Sequence, residues 1–341
     1  MSSLRPVSGT AEEILGLLRE WEAATDPEPL VVATSGSTGT PKRVVLSRDA
    51  MRASALATQE RLGGPGQWVL NLPPAYVAGL QVLYRSVVAG TEPVVTTDIV
   101  AARDQLGGRS YVSLVPTQLV RAMDSSGDSG QVEALAAFDA VLVGGGPLAT
   151  RVRRHAEGND IRVVQTYGMS ETCGGCVYDG VPLDGVEVSI DANGEVVLRG
   201  PVLFDGYEGE RDRTATALRD GWFHTDDLGR IRPDGRLQVM GRADDVVISG
   251  GVKVPAAAVA AMISADEDAL GVEVLGTPDH EWGERVVAVV AADNALSLAH
   301  VRSLVEPREW APRQLVVVDR IPLLPNGKPD RVALRRMVLD A

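Results

Sequence analysis

The sequence predicts a two-part α/β protein: a large layered N-terminal α/β domain with a small β region, then a small C-terminal α+β domain. Three observations carry the prediction. Short apolar runs alternate with stretches of helical periodicity from residue 11 to about residue 166, the pattern of a layered core with largely parallel strands. After about residue 180 the alternation gives way to strand pairs around tight turns. From Asp244 onward a further block holds strands and helices of its own, which divides the chain into residues 1–243 and 244–341.

Each element has a local cause. Ile14, Leu15, Leu18 and Trp21 recur at helical spacing over residues 11–23. Leu30 to Ala33 is a short apolar strand. Ser47 caps a helix running to about Leu62, and Gly63-Gly64-Pro65-Gly66 stops it. Trp68 to Leu72 is a strand ended by Pro73-Pro74, and Val77 to Ala89 is a helix. Strands follow at Pro93 to Thr97 and Tyr111 to Val115, with a helix from Thr117. The wholly apolar run Ala140 to Val143 enters Gly144-Gly145-Gly146-Pro147, and a basic helix with Arg151, Arg153 and Arg154 leads to a strand from Arg162 to Thr166. Val186 to Ile190 and Glu195 to Arg199 flank a tight turn, and Asp234-Gly235 marks another hairpin. Beyond residue 244, strands fall at Val272 to Gly276, Arg285 to Ala291 and Gln314 to Val318.

Composition narrows the function. The chain has 341 residues, 45% of them hydrophobic, and a mean hydropathy of +0.02, ordinary for a globular protein with a proper core. A net charge of −13 argues against a nucleic-acid partner, which needs clustered Lys and Arg, but leaves room for a nucleotide in a local pocket. No signal-peptide pattern opens the chain and no apolar run reaches membrane-spanning length, so a cytoplasmic location is expected. Two cysteines, Cys173 and Cys176, are too few for a disulfide framework, and without nearby partners they make a poor zinc site. They are expected to be small packing residues. The only lysines are Lys42, Lys253 and Lys328, and each lies inside a motif.

The first motif is Thr34-Ser35-Gly36-Ser37-Thr38-Gly39-Thr40-Pro41-Lys42, directly after an apolar strand. Glycines let consecutive backbone N–H groups face one concavity, hydroxyls add donors and Lys42 adds charge, which suits a polyphosphate. It is not a Walker loop, because Pro41 fills the position that needs the second glycine. Gln165-Thr166-Tyr167-Gly168-Met169-Ser170-Glu171-Thr172 ends another apolar strand, where ligands gather in α/β sheets. Tyr167 offers a flat face for a purine and Glu171 an oxygen ligand for Mg²⁺. Trp222-Phe223-His224-Thr225-Asp226-Asp227 ends in paired acids, one of which can accept both ribose hydroxyls. Gly241-Arg242-Ala243-Asp244-Asp245, Ser249-Gly250-Gly251-Val252-Lys253 and Leu324-Pro325-Asn326-Gly327-Lys328-Pro329 complete the series.

In wording, order and spacing these motifs resemble the adenylate-forming family of acyl-CoA synthetases, adenylation domains and luciferases over nearly the whole chain. The resemblance implies that Thr34 to Lys42 holds the β- and γ-phosphates of ATP, and that Gly144, Gly145, Gly146 and Pro147 sandwich adenine with Tyr167 beside Gly168. It implies Glu171 on Mg²⁺, Thr172 facing the α-phosphate and Asp227 on the ribose with Arg242 nearby. Asp244 matches the hinge to a mobile C-terminal domain, Lys253 a basic residue near the phosphate, and Lys328 the catalytic lysine of adenylate formation. Ser249, Gly250 and Gly251 would face the pantetheine tunnel of coenzyme A.

Two features narrow the resemblance within the family. The phosphate loop starts at residue 34, earlier than in most relatives, which implies an N-terminal domain truncated at its front, as in compact actinobacterial-type enzymes acting on o-succinylbenzoate in menaquinone synthesis. Leu72-Pro73-Pro74-Ala75-Tyr76-Val77-Ala78-Gly79-Leu80 matches the family's gating segment, with Arg85 following at helical spacing. In that branch an arginine here meets the acid's second carboxylate, a task suited to a fork-shaped cation. Tyr76 replaces the histidine often found in the gate. The sequence leaves two alternatives, a ligase or adenylation enzyme for another acid and a catalytically silent nucleotide-binding scaffold. The expected partners are small molecules: acid, ATP and coenzyme A.

Overall fold

The computed structural model describes residues 4–34, 42–124, 129–292, 296–323 and 329–339. Helix α1 (Ala11–Ala23) starts at Thr10, whose side chain and that of Glu13 form a reciprocal capping box. Its Ile14, Leu18 and Trp21 are buried, one stripe of the predicted helical period. Strand β1 (Leu30–Ala33) pairs antiparallel with β2 (Arg43–Leu46), in register from Leu30↔Leu46 to Ala33↔Arg43. This front hairpin departs from the parallel arrangement expected, and β2 was not anticipated as a strand. Its four residues fall between the phosphate motif and the Ser47 cap, too short to register as a separate period. Residues 35–41, which hold Ser35, Gly36, Ser37, Thr38 and Gly39, lie outside the described residues. Helix α2 (Arg48–Arg61) begins at Ser47 as predicted, the Ser47 side chain accepting from the Ala50 N–H.

The central sheet has seven strands. In chain order they are β3 (Gln67–Leu70), β4 (Val94–Val95), β5 (Ser110–Leu114), β6 (Ala140–Val143), β7 (Val163–Met169), β8 (Gly174–Tyr178) and β9 (Val181–Pro182). In space they run β9-β8-β7-β6-β5-β3-β4, with β4 through β7 parallel and β8 and β9 antiparallel. Alternate residues serve two cores. Trp68, Leu70, Tyr111 and Leu142 join one hydrophobic cluster, and their neighbours Val69, Val112, Val141 and Val143 join another. Helix α3 (Val77–Ala89) lies between β3 and β4 and is buried without a break from Gly79 to Ser86. A helix so enclosed places any polar side chain in the interior.

The predicted antiparallel region follows as β10 (Glu187–Ile190), β11 (Glu195–Arg199), β12 (Trp222–Ile231) and β13 (Leu237–Arg242). A short 3-10 turn, Ala243–Asp245, leads out of it. The remaining block pairs β14 (Val246–Ser249) with β15 (Val252–Pro255), and β16 (Gly271–Asp279) with β17 (Gly283–Ala291), while β18 (Gln314–Val318) lies parallel to β17. The described helices end with Arg331–Leu339.

Candidate active site

Strands β6 and β7 deliver their C-terminal ends side by side, the position at which α/β sheets collect ligands. Gly144 to Pro147 continues from β6, with Gly145, Gly146 and Pro147 exposed. A Cβ on Gly144 would lie 2.3 Å from Thr166 Oγ1, so a bare backbone is what lets this loop press against β7. Gly168 is as tight, because a Cβ there would stand 2.0 Å from the Gly174 carbonyl of β8.

At the end of β7 the Tyr167 hydroxyl donates to Asp227 Oδ2 at 2.8 Å. Asp227 is fixed by its own backbone. Its N–H donates to Thr225 Oγ1 at 3.0 Å, and that hydroxyl donates in turn to the Val196 carbonyl at 2.8 Å. Arg242, opposite Asp227 in the β12–β13 register, puts Nη1 3.7 Å from Asp227 Oδ1, while its Nε bonds Asp244 Oδ1 at 2.9 Å. Burial holds the Asp227 carboxyl above the ordinary value of 3.8, opposed by the Tyr167 hydroxyl and the Arg242 charge. Burial, reinforced by the Asp227 charge, pushes the Tyr167 phenol far up, so it remains a donor. Tyr167, expected beside adenine, and Asp227 with Arg242, expected at the ribose, therefore form one connected cluster.

A second cluster forms around Glu171, which is 6% exposed. Its Oε1 accepts from the Tyr207 hydroxyl at 2.8 Å and lies 3.8 Å from Lys42 Nζ. Lys42 also stands over the Tyr207 ring at 5.5 Å. At the base of the front hairpin, Thr34 N–H donates to the Lys42 carbonyl at 2.9 Å and Lys42 N–H to Thr34 Oγ1 at 3.2 Å. The ends of the phosphate motif are thus closed next to the acid. Sequence reasoning passed over Tyr207. It arrives because Gly206–Tyr207 pairs antiparallel with β2, and one residue at a chain turn gave no sign of that.

Thr172 departs from its expected placement. It is fully buried, and its hydroxyl accepts from the Met169 N–H at 2.9 Å and reaches the Gly174 carbonyl at 2.7 Å. It locks the turn instead of facing outward. Ser170, two residues earlier in the same turn, has no hydrogen-bond partner for its hydroxyl among the described residues.

Tyr76 caps α3 and is half exposed, and Gly79 packs so tightly that a Cβ would lie 2.3 Å from the Pro73 carbonyl. Arg85, further along α3, is 6% exposed. Its Nη2 donates to the Tyr178 hydroxyl at 3.3 Å and its guanidinium stacks 4.9 Å from the Trp68 ring centroid. Among the described residues no carboxylate pairs with it and its Nε has no hydrogen-bond partner. Cys173 and Cys176 are buried free thiols; burial pushes both up, Cys176 to about 12, which keeps them protonated.

Other predicted residues stand apart. Ser249, Gly250 and Gly251 form the β14–β15 turn and Lys253 is exposed on β15. Among the described residues no hydrogen bond or ion pair ties them to the Tyr167 or Glu171 clusters. Asp244 is exposed in the 3-10 turn, and Lys328 lies outside the described residues.

Residues 21–208 match the family model described as AMP-binding enzyme. A protein of Mycobacterium tuberculosis named "Probable 2-succinylbenzoate--CoA ligase" is 43% identical over 95% of this chain and 88% of its own length. Among solved structures, the amide bond synthetase McbA from Marinactinospora thermotolerans is 27% identical with a TM-score of 0.79, over 91% of this chain and 68% of that one. The o-succinylbenzoate CoA synthetase MenE from Bacillus subtilis, in complex with the acyl-adenylate intermediate OSB-AMP, shares the fold at a TM-score of 0.75 and 24% identity, over 90% of this chain and 68% of that one. The chain belongs to the AMP-binding enzyme family.

Proposed function

We propose that the protein is an ATP-dependent, AMP-forming 2-succinylbenzoate–CoA ligase acting in menaquinone synthesis. The observation that carries this is Arg85, a buried guanidinium without an acidic partner among the described residues, in a chain 43% identical to a relative of that name. A buried charge left unpaired costs several kcal/mol. The second, non-reacting carboxylate of a dicarboxylic acid would supply the missing anion in bidentate form.

The reaction asks little covalent chemistry of the protein. An ionised carboxylate oxygen attacks the α-phosphorus, the bond to pyrophosphate breaks, and no general base is required. Two anions must meet, so positioned cations and donors carry most of the catalysis. Residues 34–42 take the β- and γ-phosphates, Gly144 to Pro147 and Tyr167 enclose adenine, and Asp227 takes the ribose hydroxyls with Arg242 behind it. Ser170, in place of the buried Thr172, turns its free hydroxyl to the α-phosphate. Glu171 suits Mg²⁺: its carboxylate is buried beside Lys42, and a single acid plus substrate phosphates is the ligand set this ion prefers. Bound there, the ion would neutralise charge on the phosphates. Lys328 places its charge between carboxylate and α-phosphate.

In the second half-reaction the CoA sulfur attacks the acyl carbon and a C–S bond forms. The acyl C–O bond to the phosphate breaks, AMP leaves with that electron pair, and the thiol proton is released to solvent. Residues 244–341 act as a mobile domain turning about Asp244. Its hydrophobic clusters, which begin at Val247, share no residue with those of the preceding chain, which supports a separate unit. Tyr76 and Gly79 line the thiol entrance, and Ser249, whose buried hydroxyl has no partner among the described residues, forms the tunnel wall with Gly250 and Gly251. Lys253 approaches the phosphate. We place the enzyme in the cytoplasm; among the described residues no helix is long and apolar enough to cross a membrane.

Thioester formation with ATP, Mg²⁺ and CoA tests the assignment, comparing 2-succinylbenzoate with benzoate and simple fatty acids. A clear preference for 2-succinylbenzoate is expected, and Arg85→Ala should raise its KM selectively. Turnover only with the other acids would keep the enzyme class and discard this substrate. Silence with every acid would return the protein to a nucleotide-binding scaffold.

A further inference from the structure

We propose that Tyr178 and Thr58 are a positioning pair for Arg85, setting the guanidinium fork at the angle that selects a dicarboxylate. The inference rests on Arg85 reading the second carboxylate, as proposed above. Tyr178 lies at the end of β8, directly opposite Thr166 of β7, one residue before the purine-facing Tyr167. A Cβ on Gly175 would touch both Tyr178 Cε1, at 3.0 Å, and Thr166 Cβ, at 3.2 Å. The Thr166↔Tyr178 pairing and the Arg85–Tyr178 hydrogen bond thus connect the strand that carries Tyr167 to Arg85.

Proton positions follow from the chemistry of the groups. A guanidinium has only donors, so at 3.3 Å from Arg85 Nη2 the Tyr178 oxygen must accept. Its own hydrogen is then free for Thr58 Oγ1, 2.9 Å away. Both hydroxyl residues are buried, Thr58 completely. On the flat face of the guanidinium stands Trp68, also buried. Among the described residues, the groups that hold Arg85 are thus neutral: one hydroxyl at an edge and one indole at the face. A carboxylate in the place of Tyr178 would hold the arginine equally well but neutralise it, leaving no field for a ligand anion. Tyr178 uses one of the five N–H donors, so the fork keeps enough for a bidentate carboxylate.

The test compares wild type, Tyr178→Phe, Thr58→Val and Arg85→Ala in steady-state thioester formation. Substrates are 2-succinylbenzoate and its two monocarboxylate analogues, each lacking one carboxyl group; the analogue that turns over is the one lacking the non-reacting carboxylate. Tyr178→Phe keeps the ring and removes one charge-assisted hydrogen bond, so KM for 2-succinylbenzoate should rise about tenfold, with kcat changed less than about twofold. KM for the monocarboxylate should stay put. Thr58→Val should give the same pattern at about threefold, and Tyr178→Phe added to Arg85→Ala should cost nothing further. Equal losses on both acids, or loss only in proportion to a fall in Tm, would reduce Tyr178 to a packing residue and overturn the inference. An unchanged ratio of the two KM values in Tyr178→Phe, with a changed ratio in Arg85→Ala, would overturn it while sparing the role of Arg85. An unchanged ratio in Arg85→Ala would remove both.

Discussion

Replacing Asp227 by alanine should weaken ATP binding far more than it slows the chemistry. In the proposed ribose role the carboxylate would meet a neutral diol: it is largely buried, fixed through its N–H to Thr225, and already bonded at one oxygen by Tyr167. A hydrogen bond to a charged group contributes about 1.5–3 kcal/mol, so two ribose hydroxyls on one carboxylate should contribute about 3 kcal/mol or more. That corresponds to a rise in KM for ATP of about a hundredfold, with kcat changed much less because the ribose is remote from the reacting phosphorus. Tyr167→Phe removes one bond to the carboxylate and keeps the ring, and should raise KM for ATP by about tenfold at most. The assay is initial pyrophosphate release against ATP concentration at saturating acid. A collapse of kcat with KM for ATP unchanged would refute the ribose role, as would equal losses in the two variants. The pH dependence carries its own sign. Because burial raises this carboxyl above 3.8, it protonates sooner than an exposed aspartate as pH falls, so kcat/KM for ATP should fall with an inflexion above that value and Asp227→Asn should abolish it. Stability runs the other way. A raised carboxyl favours the fold below the unfolded value and loses that benefit as pH rises through the folded one, so Asp227→Asn should not lower Tm at neutral pH.

Two further outcomes follow from the assigned roles. Lys328→Ala should abolish pyrophosphate release from acid and ATP yet spare thioester formation from a supplied acyl-adenylate; loss of both steps would show that the lysine is not confined to the first. Glu171→Gln keeps shape and the Tyr207 hydrogen bond but removes charge, and should raise the Mg²⁺ concentration for half-maximal rate at least about tenfold; an unchanged Mg²⁺ dependence would place the ion elsewhere.

What could be read in the sequence was what local chemistry determines. Thr10 with Glu13, and Ser47, cap helices within their own first turns, and Ile14, Leu18 and Trp21 mark one face without help from the rest of the chain. The ends of β6 and β7, where the nucleotide is proposed to sit, were legible because apolar runs stop at glycine-rich punctuation. The failures share a different cause. Strand β2 exists through its pairing with β1, and Tyr207 reaches Glu171 only because a two-residue strand docks on β2 from more than 150 residues away. Motif spacing likewise said which residues share the turn after β7 but not how it winds. A 3-10 turn followed by left-handed Cys173 directs the Thr172 hydroxyl back onto Met169 and Gly174. The partners of Arg85 depend on the same long-range pairing: its position was visible on α3, but the neutral cage of Tyr178, Thr58 and Trp68 comes from three other elements.

Arg242 joins the proposed ribose cluster to the proposed hinge, since one guanidinium contacts both Asp227 and Asp244. That contact invites the idea that an ion pair governs the hinge, and its exposure argues otherwise. The Asp244 side chain is 55% exposed and that of Arg242 38%, and exposed pairs contribute about 0–1 kcal/mol. Asp244→Ala should therefore change KM for ATP by less than about fivefold and leave both half-reactions running. A proline is different in kind, because it fixes φ near about −65° and restricts the residue before it. Asp244→Pro should retain pyrophosphate release but lower thioester formation more than about tenfold if a backbone rotation here exchanges the two active arrangements. Measuring the half-reactions separately distinguishes the causes. Should the alanine variant lose thioester formation as the proline variant does, the side-chain contact and not the torsion would control the swing. Should the proline variant keep both steps, the rotation would have to occur at another residue of the 243–245 turn.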